Sequence, residues 1–322
     1  MPKRYVYEVT RVRLRELSLL TTYDTEFLIS CKDYDECMNF LISKGWGYGY
    51  NYDNYELVLE EELEKGWNFI LELSKEKEPF AVFLCQNDYE NLKMCIKSIA
   101  ANLKEELIYS PRGLLLPEEI YNIVKNNEIE KLPNYMQNSA REATKVLLQT
   151  EDGQLCDIIL DKDMLKTMNS FAEQSDCDLI KYYSSTIIDC ANIKIIVQAV
   201  KAGKNAEFLK RACSEYGKIS VSELIKSGIK GINEFCKYLT FTEYSGCVGP
   251  LSESMRSFEK WRDDRIAMRA KEERKDLFSI GPLVAYVLTK MNEIRTARII
   301  ISGKINNISE EVLRERVRMT YA

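Results

Sequence analysis

Apolar residues recur along this chain at helical spacing, and one pattern of apolar and polar positions returns three times. Leu92, Cys95 and Ile99 stand at i, i+3 and i+7, as do Ile193, Ile196 and Val200, and then Ile294, Ala297 and Ile301. That spacing lines one face of a helix. The polar residues keep the same register. Asp88-Tyr89-Glu90-Asn91-Leu92-Lys93 resembles Asp189-Cys190-Ala191-Asn192-Ile193-Lys194, with Asn91 and Asn192 lying 101 residues apart. A further 101 residues leads to Glu293-Ile294-Arg295, where Lys290 replaces the aspartate and Glu293 the asparagine. The basic residues Lys93, Lys194 and Arg295 fall together, off the apolar face.

A second element follows each copy: Gly113 then Pro117-Glu118-Glu119-Ile120, Gly217 then Ser222-Glu223-Leu224, and Gly303 then Ser309-Glu310-Glu311-Val312. Glycine suits the position just past a helix end, and Pro or Ser followed by Glu suits the start of the next helix. The pattern predicts helix, glycine stop, new helix, used three times. Only seven prolines occur, none between Pro133 and Pro250, which favours helices throughout. Arg11-Val12-Arg13-Leu14-Arg15 alternates briefly like a strand but runs into Leu17, Leu19 and Leu20, and is placed on a helix. The predicted fold is all-α, in three similar helical domains: 1–113 with an N-terminal helix, 114–217, and 218–322 with a C-terminal helix. A period near 100 residues is too long for the short helical arrays. Three like domains can close around a pseudo-threefold axis and leave a central depression.

Composition narrows the chemistry. With 322 residues, 45% hydrophobic and 30% charged, the chain can bury a large core without disulfides or metals. A net charge of −5 with interspersed signs argues against nucleic acid as the main ligand. There is no histidine, which removes Ser-His-Asp and Cys-His catalysis and histidine-ligated metals. The ten cysteines form no C-x-x-C pair and read as buried or free thiols in a reducing cytoplasm. The start, Met1-Pro2-Lys3-Arg4-Tyr5, is not a secretory signal. Phe278–Leu288, an uncharged stretch near the C-terminus, has eleven residues, against the roughly 20 that a spanning helix needs.

The remaining motifs have plain readings. Gly45-Trp46-Gly47-Tyr48-Gly49-Tyr50, followed by Asn51 to Asn54, lacks phosphate-loop spacing and reads as an exposed glycine–aromatic loop. Gly203-Lys204, Gly217-Lys218 and Gly303-Lys304 lack the first glycine of a nucleotide motif. Glu60-Glu61-Glu62 and Asp161-Lys162-Asp163 read as solvated helix faces. Arg256–Asp276 is dense in charge and reads as a helix burying a narrow stripe or as a surface docking a partner through Arg262, Arg265 and Arg269. Arg314, Arg316 and Arg318 could do likewise. No catalytic, cofactor-binding or metal-binding residue is assigned.

At the C-terminus, Pro282, Ala285-Tyr286, Lys290, Glu293-Ile294, Arg298, Ile300 and Gly303-Lys304, then Glu311, Arg314 and Tyr321, resemble the signature of the V/A-type ATPase C subunits, counterparts of the d subunit of eukaryotic V-ATPases. The opening Tyr5-Val6-Tyr7 with Arg11 and Arg13 resembles that family's start, as do the two Asp-x-x-Asn-apolar-Lys copies. Met291 departs from the glutamate many members carry, and Thr296 from the asparagine. The resemblance implies a funnel of three helical domains with a central socket. It also implies a non-catalytic rotor subunit, one per complex, peripheral to the cytoplasmic face of the membrane and needing no cofactor. Its partners would be the D and F shaft subunits and the proteolipid ring, and its role the passing of torque for ATP-linked proton or sodium transport. Two other classes stay open: a helical scaffold binding soluble proteins, and an all-helical enzyme using buried carboxylates or a reactive cysteine.

Overall fold

The computed structural model describes residues 5–47, 54–102 and 109–320. Among the described residues there are sixteen α-helices and no strand. Tyr48 to Asp53 of the glycine–aromatic stretch, Met1 to Arg4 and Tyr321 lie outside the described residues. The chain divides into two compact units. Unit 1 comprises Met1–Glu76, Cys177–Leu179 and Gly246–Ala322, and unit 2 comprises Lys77–Asp176 and Ile180–Ser245.

The chain opens with α1 (Val6–Glu16), α2 (Thr22–Ser30), α3 (Tyr34–Ser43) and α4 (Tyr55–Ser74). Thr21 starts α2 with a capping box, its hydroxyl accepting from Asp24 N while Asp24 accepts from Thr21 N, so two otherwise orphaned donors are satisfied. Asp33 and Asn54 cap α3 and α4 through their own side-chain oxygens. There follow α5 (Ala81–Ala100), α6 (Pro117–Lys125), α7 (Asn134–Thr150), α8 (Gly153–Glu173), α9 (Asp178–Lys201), α10 (Ala206–Ala212), α11 (Val221–Ile229) and α12 (Ile232–Leu239). The last four are α13 (Val248–Glu253), α14 (Met255–Glu272), α15 (Gly281–Ile305) and α16 (Glu310–Arg316). Pro117 sits in the first turn of α6, where its missing N–H is not needed.

The repeated apolar phase is a core face on α5 and α15. Leu92 and Cys95 on α5 pack with Ile120, Met136, Ala140, Cys156 and Leu160 in unit 2. Ile294, Ala297 and Ile301 on α15 pack with Leu28, Cys37, Leu41, Trp46, Leu59 and Leu313 in unit 1. On α9, Ile193 and Ile196 are fully buried. Unit 1 is built from the two ends of the chain: α15 packs on α4, α1, α2 and α3.

Two expectations fail here. Gly45-Trp46-Gly47 is not an exposed loop, because Trp46 is 1% exposed. Gly45 (φ 88°) and Gly47 (φ 62°) take left-handed backbone, which turns the chain sharply after α3 and sends the indole inward. The three glycine stops also fail. Gly113, Gly217 and Gly303 are not in left-handed backbone, and Gly303 lies inside α15, against Leu313.

Candidate functional site

What the repeat builds is a clamp between a long helix and a following loop. On α5, Asn91 is fully buried; its Oδ1 accepts from Ser110 N and its Nδ2 donates to Ser110 O, both at 2.9 Å. One turn earlier the Asp88 carboxylate accepts from Leu114 N and Leu115 N, both at 3.1 Å. On α9 the same bonds recur. Asn192 holds both backbone groups of Ser214 at 2.8 Å, and Asp189 accepts from Lys218 N and Ile219 N at 3.1 Å. Tyr244 Oη donates a further 2.8 Å bond to Asp189. The side chain thus replaces the partners that a loop cannot supply to its own buried backbone.

This geometry explains the glycines. A Cβ on Gly113 would stand 2.1 Å from Asp88 Oδ1, and one on Gly217 would stand 2.1 Å from Asp189 Oδ1. Close approach of a carboxylate, rather than a helix end, requires glycine at both places. Ser110 and Ser214 each lie three residues before their glycine, so the sequence signal was a paired Ser-x-x-Gly, which helix-end reasoning overlooks.

These carboxylates are buried on backbone donors rather than in ion pairs. Desolvation pushes Asp88 up to about 6, against the backbone bonds from Leu115 and Leu114 that favour the charged form. Asp189 is likewise raised by burial.

The third copy solves the same problem with charge. Lys290 Nζ donates to Glu62 on α4 at 2.7 Å and to Glu293, one turn on, at 2.5 Å. The ammonium also lies 4.8 Å from the Trp46 ring centroid. Glu293, where the other copies carry asparagine, accepts from Leu20 N near the start of the chain. Burial opposes the Lys290 charge, but Glu293 and Glu62 outweigh it and hold the ammonium above its ordinary range. Glu62 is therefore no solvated helix face.

Other residues of the C-terminal signature make the same reach to the N-terminal helices of unit 1. Arg298 pairs with Glu56 at 2.9 Å, Lys304 Nζ donates to Ile29 O at 2.5 Å, and Arg314 pairs with Glu26 at 3.1 Å. The charged helix α14 is also committed inward. Asp263 is 5% exposed and is ringed by Arg262 (2.7 Å), Arg295 (3.0 Å) and Arg318 (3.1 Å). Burial works against its charge, yet Arg295, Arg262 and Arg318 keep its carboxyl below the ordinary range. Arg269 pairs with Glu273 at 2.7 Å, and the Arg265 guanidinium lies over the Trp261 ring, 5.5 Å from its centroid. Two of the three arginines read as a docking set, Arg262 and Arg269, thus neutralise carboxylates of unit 1 itself.

Among the described residues no group of His, Cys, Asp and Glu is placed to hold a metal ion. Nine of the ten thiols are buried. Burial pushes Cys95 up to about 11 and Cys213 up to about 12, which disfavours the nucleophilic thiolate. Among the described residues no helix is long and apolar enough to cross a membrane.

The clamps, the ionic third copy and most of the signature residues that bind the chain's start lie within one stretch of similarity to known proteins. The ATP synthase (C/AC39) subunit family matches residues 9–316. The chain belongs to that family. Among relatives of this C/AC39 chain, the C subunit of the V-type sodium ATPase of Enterococcus hirae is 24% identical over 319 residues, covering 96% of this chain and 97% of the relative. The C subunit of the A-type ATP synthase of Methanocaldococcus jannaschii is 24% identical over 343 residues, covering 96% and 85%. That of Pyrococcus furiosus is 24% identical over 341 residues, covering 97% and 90%. The C/AC39 assignment agrees with the resemblance to the V/A-type ATPase C subunits, and the fold is all-α as that resemblance implies.

Proposed function

We propose that this chain is a non-catalytic central-stalk rotor subunit of a V/A-type ATPase. In this reading it seats the D–F shaft, rests on the proteolipid ring at the cytoplasmic face of the membrane, and passes torque between them for ion transport. The family match along nearly the whole chain carries the proposal, since C subunits of V-type and A-type enzymes are relatives over most of their length. The geometry supports a mechanical role. A torque-bearing part needs loops that do not yield, and here buried Asp and Asn side chains fasten loop backbone to long helices. The paired clamps on α5 and α9 also support a repeated helix-and-loop build.

The test is affinity purification of the chain from mildly solubilised native membranes, with partners identified by mass spectrometry. The rotor reading expects the D and F shaft subunits together with the proteolipid ring. Soluble proteins alone, with no ATPase component at any detergent strength, overturn it in favour of a helical scaffold.

A further inference from the structure

Two thiols meet at the corner between α2 and α3. Cys31 closes α2, and its Sγ donates to Phe27 O at 3.3 Å. Cys37 stands in the first turn of α3, and its Sγ donates to the next carbonyl, Leu28 O, at 3.5 Å. Successive carbonyls at the end of α2 thus bring the two sulfurs together, and the thiols also bond to each other. Both belong to the core of unit 1, with Leu28, Met38 and Leu41. The corner is held by bonds that involve neither sulfur. Asp33 caps α3, Glu36 accepts from Lys32 N at 2.6 Å, and Lys304 of α15 donates to Ile29 O.

The pair is asymmetric. Cys31 is 3% exposed and Cys37 is 0% exposed, so a small oxidant reaches Cys31 first. Burial pushes both thiols up, Cys37 farther. The Lys304 ammonium favours the thiolate at each, against the Glu36 carboxylate. Thiolate is therefore scarce and the reaction slow, which suits an excess of oxidant rather than a trace. Once Cys31 is oxidised, its resolving thiol is already in contact.

We propose that Cys31 and Cys37 are a peroxide-sensitive pair whose disulfide staples the end of α2 to α3 inside unit 1. The Cys31 sulfur attacks one oxygen of hydrogen peroxide and the O–O bond breaks. Hydroxide leaves with the thiol proton as water, and Cys31 becomes a sulfenic acid. The Cys37 sulfur then attacks that sulfur, the S–O bond breaks, and the second thiol proton leaves with the hydroxyl as water. Two thiols and one peroxide become one disulfide and two waters, with two electrons passed from sulfur to oxygen. The bond closes a short loop and so restricts the unfolded chain. Nothing in this inference depends on the rotor reading.

The experiment exposes the purified full chain to excess hydrogen peroxide, alkylates the remaining thiols and digests with trypsin. Trypsin cuts after Arg15, Lys32 and Lys44, so the disulfide joins peptide 16–32 to peptide 33–44. Mass spectrometry should find that linked pair, two hydrogens lighter than the sum, and dithiothreitol should remove it. Cys31→Ser should abolish the link and leave Cys37 alkylated. The oxidised chain should melt about 2–5 °C above the reduced one. Recovery of both cysteines alkylated, or each overoxidised without a link, overturns the proposal. A link with an unchanged or lower melting point overturns the staple.

Discussion

The two units fasten their repeated helices by opposite means. In unit 2 the clamps are local and rest on backbone donors: the bonds of Asn91 and Asn192 reach 19 and 22 residues along the chain, those of Asp88 and Asp189 between 26 and 30. In unit 1 the equivalent positions are an ion triad whose partners lie 228 and 273 residues away. A local loop can be held by one side chain that copies a backbone partner. Two distant segments have no shared loop, and charge supplies a stronger attraction at the cost of desolvating every member.

The sharpest way to break this comparison is to remove the cation. Lys290→Met leaves Glu62 and Glu293 buried without their ammonium, and is expected to cost about 3–5 kcal/mol in urea unfolding. A cost below about 1 kcal/mol would mean that the triad does not hold unit 1 together.

The next effect is one of pH. Asp88 has its carboxyl raised from the ordinary aspartate value to about 6, so the folded chain binds that proton more tightly than the unfolded chain. Its contribution to stability is full below the unfolded pKa of about 4 and declines as pH rises through about 6. Relative to Asp88→Asn, the wild type should lose up to roughly 3 kcal/mol between pH 4 and pH 7. A flat difference across that range would show Asp88 to be unperturbed. Asp263 runs the other way: its lowered carboxyl contributes stability above the ordinary aspartate value that is lost on acidification.

The smallest effect compares the two clamps with each other. Asn192→Ala strands the buried N–H and C=O of Ser214 and is expected to cost about 2 kcal/mol, and Asn91→Ala should cost much the same. Unequal costs in calorimetry would show that the matching geometry does not carry matching energy.

These features were legible in the sequence to different degrees. The helices, their apolar faces and the Asp-x-x-Asn register could be read directly, because each depends on residues within a few turns. Gly113 and Gly217 were visible as markers, but their reason was not, since a carboxylate approaching from another helix leaves no trace in local spacing. Glu62 looked no different in sequence from its neighbours Glu60 and Glu61, and only the fold sets it against Lys290. Trp46 looked exposed among glycines because sequence does not show which way a left-handed turn points a ring. The arginines of α14 looked available to a partner, yet Arg262 serves the buried Asp263.

Glu293 taking its backbone partner from Leu20 bears on the order in which the chain can fold during synthesis. The stretch up to Glu76 leaves the ribosome before unit 2, but α15 and α16, which complete its core, leave after it. At 5–20 residues per second the intervening residues 77–245 take on the order of 10–30 s to make. Unit 2 can close its local clamps during that interval. The N-terminal helices must wait with Leu28, Leu41 and Leu59 uncovered, which makes the early part of the nascent chain, rather than the late part, the natural client of a chaperone.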